Sequence, residues 1–214
     1  MAQPDTIVRI LDTAEQLFAE RGFAETSLRT ITSRAGVNLA AVNYHFGSKK
    51  ALIQAVFERF LTPFCAALDA ALDRRLAGEA SGAIPLDELF ALIATTTTAL
   101  HARNPPRSVV FMRLIGLAYN ESQGHLRRYL GAQYGRTFGR LERLLAAAMP
   151  DLPREELFWR THFALGSVLF TLSGLAPLSA IAAAEFGGGP PDFSAVAARL
   201  QTFVASGIRQ GGAA

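Results

Sequence analysis

The chain has 214 residues, of which 50% are hydrophobic and 18% are charged. This length is enough for one large domain or two smaller ones, and the apolar fraction excludes a largely disordered chain. The single cysteine, Cys65, excludes an internal disulfide framework and a multi-cysteine metal site. Because charged residues are scarce, a cavity, a subunit interface or a membrane is needed to cover the remaining apolar surface.

Basic residues are concentrated near the N-terminus. The whole chain carries a net charge of +3, yet residues 21–50 contain five basic residues and a single acidic one, Glu25. Such a segment favours an anionic partner. The first residues lack the basic-then-apolar pattern of a secretory signal, so we expect a cytoplasmic protein.

The pattern of apolar residues predicts ten helices and no strand. Apolar residues from Ile7 to Phe18 return every three or four positions, which is the spacing of one helix face, and no segment alternates with a period of two. Capping residues, glycines and prolines mark the ends. Counted with their caps, the predicted helices cover residues 5–22, 27–36, 38–47, 48–76, 85–103, 108–120, 123–149, 153–175, 178–186 and 192–210. We therefore expect an all-α protein.

The second and third predicted helices are separated by only Gly36, Val37 and Asn38. A short connection containing glycine is typical of a helix-turn-helix unit, whose later helix enters the major groove of DNA. In that helix Ala40 and Ala41 are small enough to allow close approach to base edges. Hydrogen-bonding groups follow within one turn, at Asn43, Tyr44 and His45.

Lys49 and Lys50 occupy the first turn of the fourth predicted helix, where the helix dipole disfavours each cation by about 0.3 to 1 kcal/mol. A bound phosphate reverses this preference, because free backbone N–H groups and ammonium groups then converge on one anion. Taken alone, such a lysine pair is usually a solvated surface. Its coincidence with the short helices and tight turn favours DNA binding. Candidates for holding the flanking DNA backbone are Ser27, Arg29 and Thr30.

Residues 26–38 (TSLRTITSRAGVN), followed by residues 44–49 (YHFGSK), resemble the N-terminal DNA-binding region of the TetR family of repressors. The resemblance implies a helix-turn-helix domain over residues 1–50 and a larger helical ligand-binding and dimerisation domain over residues 51–214. It also implies that phosphates are contacted by Ser27, Asn38, Tyr44, His45 and Lys49, and that Ala40, Ala41 and Asn43 lie nearest the bases. Family members commonly have tyrosine two residues before the histidine, where this chain has Asn43.

Four segments are similar to the PsrA branch of that family: residues 42–57, 111–118, 122–127 and 156–160. This similarity implies a long-chain fatty acid or acyl thioester as effector, and control of fatty-acid metabolism genes. Aromatic residues of the predicted helices could wall an apolar tunnel for such a chain. Arg113 interrupts an apolar helix, and a buried cation needs either an acidic neighbour or a ligand anion. The candidate effector-binding residues are Phe64, Phe90, Phe111, Met112, Arg113, Tyr129, Tyr134, Trp159, Phe163 and Phe170.

Residues 163–184 contain no charged residue, which is enough length to cross a bilayer. Seven of these 22 residues are Gly, Ser, Thr or Pro, however, and basic residues show no bias between the two sides, so we interpret the stretch as a buried helix without a membrane span. Together with the last predicted helix it forms a face suited to a twofold four-helix interface. The resulting homodimer presents two reading helices to a pseudo-palindromic operator.

The sequence shows no motif of an enzyme. It has no phosphate-binding glycine loop, nucleophile elbow or HExxH helix. None of His101, His125 and His162 is at a metal-ligand spacing from another histidine or from cysteine. We therefore predict a DNA-binding regulator with no cofactor and no metal. The alternative is a small-molecule-binding or membrane-associated helical protein without a DNA-binding role.

Overall fold

The computed structural model describes residues 4–77, 83–120, 124–187, 189 and 192–209. Every regular element in these ranges is an α-helix, which confirms the predicted all-α class. The helices are α1 (Pro4–Glu25), α2 (Leu28–Ala35), α3 (Leu39–Phe46), α4 (Lys49–Leu76), α5 (Leu86–Arg103), α6 (Pro105–Asn120), α7 (Gly124–Ala148), α8 (Arg154–Ser173), α9 (Leu175–Phe186) and α10 (Phe193–Arg209).

Two glycines end helices where the sequence predicts it, because both adopt positive φ values that disfavour a side chain. Gly36 follows α2 with φ 64° and ψ 36°, and its N–H is donated to carbonyls of the last turn. Gly22 has φ 82° and ψ 168°, so it breaks α1, although the helix resumes and continues to Glu25.

The later helices differ from the prediction mainly at two starts. α6 begins at Pro105 rather than residue 108, since proline is tolerated in the first helical turn, where its missing N–H has no helical partner. α9 begins at Leu175 rather than residue 178, directly after Gly174. The predicted ends at Gln123 and Gln210 lie outside the described residues.

The chain forms two compact units. Unit 1 contains residues 1–63 and 106–133, and unit 2 contains residues 64–105 and 134–214. α4 contributes its first half to unit 1 and its second half to unit 2. The functional division after residue 50 stays a prediction.

Aromatic side chains form the core of unit 1. The ring centroids of Phe18 and Phe23 lie 5.3 Å apart, and those of Phe23 and Phe57 lie 6.2 Å apart. Phe111 of α6 stacks on Phe60 of α4 at 3.9 Å. Burying aromatic rings of this size contributes much of a core's stability, so α1, α4 and α6 are held together.

The core of unit 2 consists of aliphatic side chains from α4, α5, α7, α8 and α10. Arg160 lies within this unit with only 8% of its surface exposed. Its guanidinium donates to Glu156 at 2.7 Å and to the backbone carbonyl of Ile208 at 3.0 Å. A buried charge requires such partners, so Arg160 links α8 to the end of α10.

The uncharged stretch at residues 163–184 is not one buried helix in the single chain, contrary to expectation. α8 and α9 meet at an angle of 76°, and large apolar side chains of both are exposed, among them Phe170 and Ile181. Among the described residues, α4 alone is a single helix long and apolar enough to cross a membrane. That is weak evidence for a span, because the core helix of a soluble protein passes the same test.

Candidate nucleic-acid interface and effector-binding residues

The turn between α1 and α2 is fixed by Thr26, whose surface is fully buried. Its hydroxyl lies 2.8 Å from the carbonyl of Gly22 and 3.1 Å from that of Leu17, and serves both as donor. The sequence indicated Thr26 only as a candidate helix start, since a bond to a residue nine positions away has no local signature. The bond fixes where the helix-turn-helix unit starts relative to α1.

The predicted caps of α2 and α3 are present. The Ser27 hydroxyl oxygen accepts the N–H of Thr30 at 3.0 Å, and the Asn38 carbonyl oxygen accepts the N–H of Ala41 at 2.8 Å. Caps of this kind are worth about 1 kcal/mol each. Both side chains are exposed, so the same residues that start the helices stand at the surface.

α3 presents one face to solvent and the other to the core of unit 1. Val42 is fully buried, and Ile31 of α2 is fully buried as well. On the outer face Ala40 and Asn43 are exposed, and Tyr44 is 82% exposed. Ala41 and His45 are half-buried. The outer face therefore carries the side chains that the sequence predicts nearest the bases.

The start of α2 adds a polar edge to this surface. Ser27 and Arg29 are exposed and Thr30 is half-buried. Arg34 belongs to a different contact, because it pairs with Glu20 of α1 at 3.0 Å. An exposed pair of this kind contributes about 0 to 1 kcal/mol.

The first turn of α4 carries two lysines and no acidic residue. Ser48 caps this helix by accepting the N–H of Ala51 at 3.1 Å. Lys49 Nζ donates to the carbonyl of Ala24 at 3.2 Å, which holds the ammonium at the end of α1 and leaves further N–H groups for a second acceptor. Lys50 is exposed. The geometry suits an incoming phosphate.

Four charged side chains tie α1, α4 and α6 together inside unit 1. Arg59 donates to Glu15 and to Asp12, each at 2.8 Å. Arg107 donates to the same two carboxylates, at 3.1 Å and 2.7 Å. Each arginine is thus held by two carboxylates from α1. We call these four residues the ion network. The sequence analysis missed it, since its members lie up to 95 positions apart.

Glu15 is the most buried member of the ion network, with 5% of its surface exposed. Burial raises the pKa of Glu15, and Arg59 and Arg107 oppose that rise. A cleft of about 190 Å³ adjoins the network. Its lining residues are Glu15, Val56, Phe60, Arg107, Val110, Phe111 and Leu114. This volume is below the roughly 300 Å³ at which small-molecule sites begin.

Four of the candidate effector-binding residues lie in unit 1. Phe111 and Met112 are buried, and Tyr129 is half-buried. Arg113 is exposed, so the expectation of a buried cation at this position is wrong. Its neighbours Met112 and Leu114 face the interior while Arg113 faces away, as the helical period allows. The buried arginine of the C-terminal part is Arg160.

The remaining six candidates lie in unit 2. Tyr134 is buried, and Phe64 and Phe90 pack against the core. Trp159, Phe163 and Phe170 are 50%, 66% and 70% exposed and do not wall an enclosed tunnel in the single chain. These three share the face of α8 opposite its buried residues, because they follow one another at spacings of four and seven. They form an apolar stripe on the surface of unit 2.

The arrangement of α1, α2 and α3 defines a helix-turn-helix protein, and two family models match the chain. Residues 10–56 match the model described as bacterial regulatory proteins of the tetR family. Residues 91–207 match the tetracyclin repressor-like C-terminal domain. The chain belongs to the TetR family of bacterial regulatory proteins. This membership confirms the predicted regulator rather than an enzyme.

Relatives with curated names match only the N-terminal part. The HTH-type transcriptional repressor Rv3405c of Mycobacterium tuberculosis is 49% identical over 53 residues, which are 25% of this chain and 28% of that protein. The HTH-type transcriptional regulator UidR of Escherichia coli is 40% identical over 67 residues, which are 29% of this chain and 34% of UidR. The chain therefore matches about a third or less of the length of these relatives.

Solved structures resemble the whole chain at low sequence identity. The fatty acid degradation regulator FadR from Bacillus halodurans has a TM-score of 0.59 and 16% identity, covering 99% of this chain and all of that one. A TetR-like regulator from Rhodococcus sp. RHA1 has a TM-score of 0.61 and 18% identity over 99% and 100%. FadR from Bacillus subtilis, solved with stearoyl-CoA, has a TM-score of 0.56 and 16% identity over 94% and 99%. These similarities establish the fold.

Proposed function

We propose that the protein is a ligand-responsive transcriptional repressor that binds a pseudo-palindromic DNA operator as a homodimer. The observation that carries the proposal is the outer face of α3, where Asn43 and Tyr44 are exposed beside the two lysines that start α4. A helix of this size with small and hydrogen-bonding residues fits the major groove, and the lysines supply the phosphate contact. The name of the relative Rv3405c as a repressor supports the sign of regulation.

In this proposal the side chains divide into two roles. Ala40, Ala41 and Asn43 lie at the base edges, and Asn43 supplies the hydrogen bonds that distinguish one sequence from another. Contacts to the DNA backbone set the register and carry no sequence information. The proposed backbone contacts are Ser27, Arg29, Thr30, Asn38, Tyr44, His45 and Lys49.

We expect Asn43→Ala and Lys49→Ala to weaken DNA binding in different ways. Loss of the Asn43 amide removes a base contact, which reduces the preference for operator over unrelated duplex by about 1 to 3 kcal/mol per half-site. Loss of the Lys49 ammonium lowers affinity for every duplex and reduces the salt slope by about 0.9 per phosphate. Titration of an operator chosen by the protein from a random duplex library, at several salt concentrations, measures both.

Each variant serves as the control for the other, because both residues lie at the same surface. A uniform loss of affinity with Asn43→Ala would remove Asn43 from base recognition. An unchanged salt slope with Lys49→Ala would remove the assigned phosphate contact. Absence of any salt-dependent duplex binding by the unaltered protein would overturn the proposed function as a whole.

The proposed homodimer forms through α8 and α10. These two helices pack on each other in unit 2, and their outer surface exposes the apolar stripe on α8 together with Phe203 of α10, which is 65% exposed. Exposed apolar surface of this kind marks interaction sites. A twofold axis through this surface gives a four-helix interface and places two reading heads on one operator.

The proposed effector is a long-chain fatty acid or its coenzyme A thioester, and the proposed target genes belong to lipid or fatty-acid metabolism. Support comes from the similarity to the PsrA branch and from the fold shared with FadR of Bacillus subtilis, which was solved with stearoyl-CoA. Docking on DNA requires two heads about 34 Å apart. In the proposed mechanism the effector shifts α4, which carries Lys49, and it releases DNA to the extent that it binds the displaced form more tightly.

Stearoyl-CoA is expected to stabilise the protein and to release it from its operator. At a concentration one hundred times Kd, binding adds about 2.7 kcal/mol to the free energy of unfolding, which corresponds to roughly 5 to 10 °C in Tm. Thermal melting and operator titration with stearoyl-CoA measure both effects, with free coenzyme A and acetyl-CoA as controls. Indifference to acyl chains of every length would overturn the effector assignment without affecting DNA binding.

The competing function is that of a small-molecule-binding or membrane-associated helical protein without a DNA-binding role. The apolar α4 and the bent α8–α9 pair are the observations in its favour. Fractionation without detergent, followed by passage over immobilised duplex DNA, separates the two functions. Retention on duplex that falls steeply with salt supports the regulator.

A further inference from the structure

The beginning of α7 belongs to unit 1, together with the proposed DNA-binding helices. Leu126 is 1% exposed and anchors this turn in the unit. Arg127 and Arg128 are exposed next to it, and the first turn of α7 contains no acidic residue. Cations at this end of a helix oppose its dipole, so they do not stabilise the helix that carries them.

His125 connects this turn with the first turn of α4. Its Nε2 atom is buried and has no hydrogen-bond partner in the described part of the chain. Burial lowers the pKa of His125, and the charges of Lys50 and Arg128 lower it further. The Arg128 guanidinium folds back along the turn, since one of its nitrogens lies 3.7 Å from the position of a Cβ on Gly124. Lys50 and Arg128 thus both act on one imidazole.

These two cations differ from most arginines of the protein in lacking a counter-ion. The salt bridges of the described residues include Arg59, Arg107, Arg140 and Arg160, each with a carboxylate. Within residues 4–77, 83–120, 124–187 and 192–209, neither Lys50 nor Arg128 forms a salt bridge. Like charges without an anion between them repel each other.

We propose that Lys50 and Arg128, together with the imidazole of His125, form an accessory phosphate-binding surface for duplex DNA. The surface rests on the proposed DNA-binding function and extends it beyond residues 10–56, which match the N-terminal family model. Duplex DNA is the partner that fits, because Lys50 follows Lys49 directly and a duplex presents a phosphate about every 1.7 Å along its axis. One bound backbone therefore supplies anions to both lysines and to Arg128.

The test measures the salt dependence of operator binding for Arg128→Ala and Lys50→Ala. Each substitution is expected to reduce the slope of log K against log salt by about 0.9 per subunit, and to weaken binding roughly tenfold. Arg128→Lys keeps the charge and is expected to restore the slope of the unaltered protein. Arg143→Ala removes an exposed arginine from the same helix in unit 2, and it is expected to change nothing. Ethylation interference then identifies the phosphate concerned, whose modification weakens binding of the unaltered protein and not of Arg128→Ala.

The outcomes separate this proposal from the proposed function. If Lys49→Ala flattens the slope while Arg128→Ala and Lys50→Ala do not, the accessory surface is overturned and the DNA-binding function stands. If Arg128→Ala and Arg143→Ala lose affinity equally, the effect is one of overall charge, and the proposal fails as well. If the unaltered protein shows no salt-dependent duplex binding, the proposed function fails first. Equal Tm values for the variants exclude a folding defect.

Discussion

Phe163→Arg is expected to convert the proposed dimer into a monomer and to weaken operator binding at least roughly a hundredfold. Phe163 is 66% exposed in the single chain and lies 6.1 Å from Trp159, measured between ring centroids. A twofold interface would bury two copies of the introduced guanidinium without partners, at an effective cost of several kcal/mol for each ion. A monomer also loses the gain from binding two half-sites at once, which is a factor of about 10² to 10⁴.

Sedimentation equilibrium and operator titration measure the two parts of this prediction. Phe138→Arg is the matched control, because Phe138 is a partly exposed phenylalanine of α7 in the same unit, outside the apolar stripe. It is expected to remain dimeric. A Phe163→Arg protein that sediments as a dimer would show that α8 does not form the subunit interface.

The second large effect is expected in the ion network of unit 1. Arg59→Met removes one of the two guanidiniums that face Glu15 and leaves Arg107 as its remaining counter-ion. Breaking a buried ion pair costs about 3 to 5 kcal/mol, and the remaining arginine reduces this to about 2 to 3 kcal/mol, or roughly 5 to 10 °C in Tm. Arg74→Met is the matched control, since Arg74 is exposed on the same helix.

The pH dependence of this loss identifies its cause. Burial already raises the pKa of Glu15, and removal of Arg59 raises it further, because Arg59 opposes that rise. A carboxyl whose pKa is higher in the folded than in the unfolded chain binds more protons when folded, so its contribution to stability falls as pH rises. The difference in unfolding free energy between Arg59→Met and the unaltered protein is therefore expected to be larger near pH 8 than near pH 5. A difference that does not change with pH would point to lost packing of the Arg59 stem instead.

Local signals in the sequence were sufficient for the helices and for the helix-turn-helix unit. Ser27 and Asn38 cap their helices through atoms three residues away, and Gly36 ends α2 by its own backbone conformation. Such effects depend on neighbouring residues alone, so they can be predicted from the chain order. The same holds for the outer face of α3, where the helical period places Asn43 opposite Val42 and its core.

The C-terminal part shows where this local approach fails. The helical period alone does not show which face of α8 packs inward, and so Trp159, Phe163 and Phe170 were predicted in an apolar tunnel although they are exposed. Arg113 and Arg160 both lie among apolar residues in the sequence. The structure buries Arg160, because Glu156 and the carbonyl of Ile208 are there to receive its N–H groups.

The sequence by itself determined the all-α class, nearly all helix ends and the family to which the chain belongs. Each of these depends on residues within about one helical turn of one another, or on a motif read in order. Only the tertiary structure decided the ion network, the buried bonds of Thr26 and the meeting of Lys50 with His125 and Arg128. These contacts join residues from 9 to 95 positions apart, and their free energy arises when packing removes the groups from water.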